Sequence, residues 1–331
     1  MPRILVAMIA LLCLIPSALA DGGNISEDWF VRGNELLLQG SLEEAAAAYD
    51  LFLLNDSENV AALSNKAAAL TLMGRFQEAI DLCDQAIEIN AGYAPAWSTK
   101  GDALAGLGKF DEAVSAYDRA LEINSEAAVT WFNKGVALGY MGLFDEAVQA
   151  YNESLRINPD MAEAWYNKGL TLVGLGRYEE AISAYDKSLG INPDLAEAWS
   201  DKGMCLGILE RYDEAIEAFD RAIKINPQLA EAWSNKGKAL FYQGKHIEAV
   251  SALDEAIKID PELEQAWYSR ALALNQSGRM EEALQSLDEA LAINDQNARA
   301  WAMRSAILQS LGRAAEAEEA LAKAKDLGYA G

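Results

Sequence analysis

Between Tyr178 and Leu189, apolar and small side chains recur three or four residues apart. Tyr178, Ala181, Ile182, Tyr185, Ser188 and Leu189 fall on one stripe, the pattern of an amphipathic helix. Upstream, Trp165, Gly169 and Leu172 keep the same period and predict a helix from about Glu163 to Leu175. Gly176 separates the two and suits the left-handed residue that closes a helix. Asn192-Pro193 ends the second helix, because the residue before proline is pushed out of helical conformation. Asp194 and Glu197 then predict a capping box for the helix that follows. Gly169, Ala181 and Ser188 are small enough to let the paired helices approach, with Trp165 and Tyr185 filling the gaps between them.

The same pattern returns every 34 residues. Trp29, Trp97, Trp131, Trp165, Trp199, Trp233, Trp267 and Trp301 mark it, and Leu63 stands where the series skips one. With the tryptophan at position 4, nine frames begin at residues 26, 60, 94, 128, 162, 196, 230, 264 and 298. A period in this range identifies stacked supersecondary units that bury a continuous core. The motif W-x-x-K-G-x-x-L…G-x-Y-x-x-A-x-x-x-Y-x-x-S…P, as it stands in residues 165–193, resembles the tetratricopeptide repeat. The resemblance spans residues 26–331. It implies an all-α, right-handed superhelical solenoid of nine helix-turn-helix repeats, with a concave inner face on which protein partners lie.

Residues 1–25 precede the array. Arg3, the uncharged run Ile4–Ile15 and the small-residue site Ala18-Leu19-Ala20 predict a secretory signal peptide over 1–20, followed by a short linker over 21–25. The apolar run is shorter than the ~20 residues that span a bilayer, and Leu12 before Cys13 argues against a lipid anchor. The expected mature protein is soluble, located outside the cytoplasm in a secreted or cell-envelope setting. Four N-x-S/T sequons occur, at Asn24, Asn55, Asn152 and Asn275. A formal charge of −24 disfavours nucleic acid and anionic lipid as partners. Cys83 and Cys205 sit at core-facing positions four repeats apart, too far for a bridge between Cα atoms that must come within about 7 Å.

No residue is assigned to catalysis, to a metal or to a cofactor. His246, alone of its kind, occupies position 17, where other repeats carry packing side chains. The acidic pairs Asp111-Glu112, Asp145-Glu146, Glu179-Glu180 and Asp213-Glu214 fall in first helical turns, where negative charge complements the dipole. Position 7 is basic in all nine copies, from Arg32 and Lys66 to Arg304. Position 25 is Asp in seven, the exceptions being Asn152 and, in the last repeat, Ala322. A final repeat has no following neighbour, so this exception predicts pairing of position 25 with position 7 of the next repeat rather than a ladder for an anionic ligand.

The inner face remains as the candidate surface. Position 6 supplies Asn65, Asn133, Asn167 and Asn235, amides able to grip a peptide backbone. This row is similar to the asparagine ladder in the repeat region of the O-linked N-acetylglucosamine transferases. Phe132, Tyr140, Tyr166, Leu170, Met204, Phe241, Tyr242 and Tyr268 add apolar anchors. The clamp that holds carboxyl-terminal tails in relatives is not matched, since Asn34 alone has the required position-9 amide and its position 5 is Phe30. The expected function is a non-catalytic scaffold that binds an extended protein segment. The alternative is a cell-envelope repeat protein that recognises glycan or surface polymer. Charged substitutions at Asp28, Glu35, Glu318 and Lys325, in the first and last repeats, predict a monomer that does not stack end to end.

Overall fold

The computed structural model describes residues 25–329; the predicted signal peptide and Cys13 lie outside them. The described residues form eighteen α-helices and no strand. The first compact unit, ending at Arg177, holds α1 (Ile25–Leu38), α2 (Leu42–Leu53), α3 (Val60–Leu72), α4 (Phe76–Ile89), α5 (Ala94–Gly106), α6 (Phe110–Ile123), α7 (Ala128–Tyr140), α8 (Phe144–Ile157) and α9 (Ala162–Gly174). The second, from Tyr178, holds α10 (Tyr178–Ile191), α11 (Ala196–Ile208), α12 (Tyr212–Ile225), α13 (Ala230–Tyr242), α14 (His246–Ile259), α15 (Glu264–Gln276), α16 (Met280–Ile293), α17 (Ala298–Ser310) and α18 (Ala314–Asp326). Within each unit every helix packs on the next, and α1 with α3, α3 with α5, α5 with α7, α7 with α9, α11 with α13 and α13 with α15 also touch. The frame read from the tryptophans places a helix start at each copy from Val60 to Ala298.

Pairing inside a repeat rests on one close contact. At position 8 of the first helix, a Cβ added to Gly33, Gly101, Gly135 or Gly203 would come within 2.5–2.7 Å of the position-24 ring, respectively Tyr49, Tyr117, Tyr151 and Phe219. No real Cβ fits there, so the ring lies on bare backbone. Where position 24 shrinks to Cys83 or Leu287, position 8 becomes Ala67 or Ala271, both fully buried. The rings are correspondingly buried: Tyr49, Tyr117 and Tyr151 are at most 1% exposed.

Neighbouring repeats are joined by a turn that the sequence pattern assigned differently. The expected capping box is absent: α11 starts after Leu195, whose side chain makes no cap bond. Asn192 instead turns the chain by accepting from the Asp194 N–H at 3.3 Å. The equivalent bond forms at Asn90, Asn124, Asn158, Asn226, Asp260 and Asn294, an Asx turn. The tryptophans pack against the core, as Trp233 does against Leu253, Ala256 and Ala266, and they also bond to this turn. Trp165 Nε1 donates to the Pro159 carbonyl at 2.9 Å, and six other tryptophans reach the carbonyl six residues upstream in the same way. Each indole therefore fastens the turn between repeats, at about 1 kcal/mol per bond.

The predicted charge ladder runs beside these turns. Lys66–Asp50, Lys100–Asp84, Lys134–Asp118, Lys202–Asp186, Lys236–Asp220, Arg270–Asp254 and Arg304–Asp288 pair at 2.5–2.8 Å. Most of the same cations also lie over the position-4 indole, as Lys134 does at 5.1 Å from the Trp131 centroid. Lys168, whose counterpart at position 25 is Asn152, sits 5.0 Å from the Trp165 centroid. The carboxylates are about half exposed, so each pair contributes under about 1 kcal/mol and serves mainly to set the register of one repeat on the next. Positions 3 and 10 pack inward, with Ala62, Ala96, Ala198 and Ala300 fully buried. Their first-repeat counterparts Asp28 and Glu35 are exposed, as are Glu318 and Lys325.

The turn within each repeat is closed by a glycine at φ between 72° and 78°. For Gly108, its N–H reaches the Ala105 carbonyl and the following Lys109 N–H reaches Leu104, both at 2.9 Å, the double bond that ends a helix on a left-handed residue. Glu210 replaces this glycine and adopts φ 59°, alone among non-glycine described residues, while keeping the bonds to Gly207 and Leu206. A Cβ in that region costs roughly 1 kcal/mol. The expected outcome for Glu210→Gly is a gain of about 1 kcal/mol in urea denaturation; an unchanged or lower midpoint would refute the strain.

Candidate functional site: the inner faces of the first helices

The position-6 amides divide into two groups. Asn65 Nδ2 donates to Asn34 Oδ1 at 2.9 Å, and Asn133 Nδ2 donates to Asp102 Oδ1 at 2.8 Å. In each case the acceptor is position 9 of the preceding repeat, and it also receives a position-24 phenol, from Tyr49 at 2.7 Å and Tyr117 at 2.8 Å. Asn167 follows Val136 in that role and turns back to donate to its own helix at the Glu163 carbonyl, 2.9 Å away. All three are buried. Asn65 and Asn133 stitch repeats of the first unit together and Asn167 is held by its own helix, which corrects their expected role as a row presented to a peptide. Asn235 is different: the position-9 residue before it is Met204, which offers only a thioether. Asn235 stays partly exposed and lines an open cleft with Met204 and Tyr242.

The expected anchors also separate. Phe132 is 0% exposed, packed on Tyr151 with ring centroids 6.0 Å apart, and Tyr166 and Leu170 are buried. These three belong to the core. Met204, Phe241 and Tyr268 are half-buried, and burial raises the Tyr268 phenol above its ordinary value. Tyr140 stacks on Phe110 at 4.8 Å, and Tyr242 stacks on Tyr212 at 5.6 Å.

Tyr140 and Tyr242 share one position within the repeat. Position 13 carries Leu38, Leu72 and Tyr140 in the first unit and Ile208 and Tyr242 in the second, each between 41% and 62% exposed. Gly106 and Gly174 fill the same register, their missing Cβ atoms leaving room for Phe76 and Phe144 of the previous repeat. Leu38 and Leu72 are absent from the sequence-based candidates. Their shared position with Tyr140 is the signal that identifies them. This row can hold apolar side chains by contact. The second helices carry another exposed row at their last turn, including Ile123 and Ile225.

Reactive groups on the scaffold are quiet. Burial pushes the Cys205 thiol up to about 12 and raises Cys83 further, so both free thiols stay protonated and unreactive. His246 packs its ring against Phe241 at 5.3 Å. Among the described residues no group of three or more His, Cys, Asp and Glu side chains could hold a metal ion. The first-turn acids Glu78, Glu214, Glu282 and Glu316 are held below the usual carboxylate range by hydrogen bonds from Arg75, Arg211, Arg279 and Arg313.

Asp102 is the exception. Burial pushes its carboxyl up to about 7, against the opposing hydrogen bonds from Tyr117 and Asn133. The unfolded chain releases this proton near pH 4 and the folded chain holds it until about pH 7. Folding therefore takes up a proton in that window, and stability falls as pH rises through it. Asn34 accepts the same pair of donors without a charge. Asp102→Asn is expected to raise stability above pH 7 by up to a few kcal/mol and to change it little at pH 4. Chemical denaturation at both pH values checks this, and an equal effect at each would refute it.

Models described as tetratricopeptide repeat match residues 58–126, 92–160, 132–196, 196–229, 234–298 and 298–327. No curated protein matches the chain. Among solved structures, YrrB, described as a TPR protein with an unusual peptide-binding site, is 27% identical with a TM-score of 0.53, covering 57% of this chain and 97% of its own. The C-terminal part of a TPR repeat-containing protein from Cytophaga hutchinsonii gives 0.59 at 15% identity, covering 72% and 98%. PilF of Pseudomonas aeruginosa gives 0.54 at 19%, covering 62% and 94%. These last two are likenesses of fold alone. Eighteen helices in the 34-residue frame and matches along nearly its whole length place this chain in the tetratricopeptide repeat family.

Proposed function

We propose that the protein is a non-catalytic scaffold that acts outside the cytoplasm and binds an extended protein segment along the inner faces of its first helices. The position-13 row carries this reading: large apolar side chains stand exposed at one register in both units, where a folded monomer gains nothing from showing them. The likeness to YrrB, a protein with a peptide-binding site, supports a segment over a folded surface. The export of the chain rests on the pattern of Arg3, Ile4–Ile15 and Ala18-Leu19-Ala20. No helix of the described residues is long and apolar enough to cross a membrane.

A random-peptide display library, with ends blocked, provides the probe. Peptides enriched on residues 21–331 should lose more than about 1 kcal/mol of binding, roughly a fivefold change, on Tyr140→Ser or Tyr242→Ser. They should bind Ile123→Ser and Ile225→Ser as they bind the parent. The reverse pattern would move the site to the second helices, and an array of glycans captured in place of peptides would favour the polymer-binding alternative.

The same reading makes the protein a monomer. Docking another repeat on either end would bury Asp28 and Glu35 or Glu318 and Lys325, and unpaired buried charge costs far more than buried alanine. Light scattering over a wide concentration range should give one mass. A dimer abolished by charge reversal at Glu318 would contradict this.

A further inference from the structure

In the second unit, a cleft of about 390 Å³ opens between α11 and α13. Three features of it lack a structural purpose within the fold. Lys238 lines it, half-buried at position 9, where the other repeats carry no cation. Unlike the position-7 bases it has no ion partner among the described residues, and burial lowers its ammonium below the ordinary lysine value. Asn235 lies one helical turn before it and, unlike Asn65 and Asn133, has no oxygen acceptor at position 9 of the preceding repeat, where Met204 stands. Gly207 forms part of the floor: a Cβ placed on it would meet nothing within 4 Å, whereas one on Gly203 would strike Phe219 at 2.7 Å. Gly207 is the last residue but one of α11, and packing at its Cβ does not require a glycine there.

We propose that this cleft is a carboxylate-reading subsite of the segment-binding face: Lys238 and Asn235 receive the side-chain carboxylate of one Asp or Glu in an extended chain, and the space over Gly207, between Met204 and Tyr242, receives the apolar side chain beside it. The proposal rests on the scaffold reading and adds to it the chemistry of the segment. Charge complementarity selects the occupant. An unpaired, partly desolvated ammonium gains from a carboxylate with which it can form a charge-assisted bond. Glu210 also borders the cleft, and the chain carries a formal charge of −24. A run of acids would be repelled, so the fit is a single acid in an apolar or basic segment.

The test uses N-acetylated, C-amidated decapeptides with one Leu-Asp or Phe-Glu pair in a Lys/Ser background, measured by fluorescence anisotropy on residues 21–331. Changing the peptide acid to its amide should weaken binding about tenfold or more. Lys238→Met should erase that difference between acid and amide. Gly207→Leu should abolish binding while leaving the melting temperature the same or higher, because leucine favours the helix and its side chain enters open space. The proposal is overturned if Lys238→Met still distinguishes acid from amide, if Gly207→Leu binds normally, or if only peptides with a free carboxyl terminus bind. Failure here with continued loss on Leu72→Ser and Tyr140→Ser would remove the subsite and leave the scaffold reading intact. Peptides that bind nowhere would remove both.

Discussion

A ring resting on bare backbone is the contact from which the repeat is built. At position 8 the first helix must lack a side chain so that Tyr49, Tyr117, Tyr151 or Phe219 can lie against it. A glycine there sacrifices about 1 kcal/mol of helix propensity, and the buried ring repays it many times in apolar area removed from water. The constraint acts on a pair of volumes. Cys83 and Leu287 face Ala67 and Ala271, where a smaller side chain leaves room for a methyl group. Gly237 opposite Leu253 keeps the glycine with an aliphatic partner and is still tight, at 2.6 Å.

With the pair fixed, the polar contacts between repeats can each be weak. An Asx turn, an indole bonded to a turn carbonyl and a lysine shared between an aspartate and an indole each contribute about 1 kcal/mol or less. They recur at nearly every junction, and in a linear array stability is a sum of such nearest-neighbour terms. Their uniformity matters more than their strength. A register error of one helical turn would lose the ion pair, the cation–π contact and the tryptophan bond together. The first unit adds polar stitches at the half-buried Asn34 and the buried Asp102, while position 9 in the second unit changes to Met204 and Lys238 and leaves the inner face open.

The fold was legible because a 34-residue period is a long-range signal carried by local residues. The helix beginning at Ala162, the left-handed turn and the Lys–Asp register could all be read that way. The misreadings share a different cause. Asn65 and Asn133 find their acceptors 31 residues upstream, and no spacing within one repeat reveals whether an amide faces a groove or a neighbour. Comparing position 6 with position 9 of the preceding repeat would have separated Asn235 from the others. The Trp165 ring packs against the core, and its Nε1–H also finds the turn carbonyl, an acceptor that the spacing of apolar positions does not reveal. Phe132 reads as a groove residue, although its ring closes the core.

The indole bond has a spectroscopic consequence. Seven tryptophans hold the same place, each tied to the turn joining its repeat to the one before. Emission from these seven therefore reports on junctions, and it would shift when two repeats part even if both keep their helices. The second repeat carries Leu63 at this place, so the opening of its junction is dark. A chain reduced to one tryptophan at a time would resolve fraying along the array link by link, with a natural blank at the second repeat.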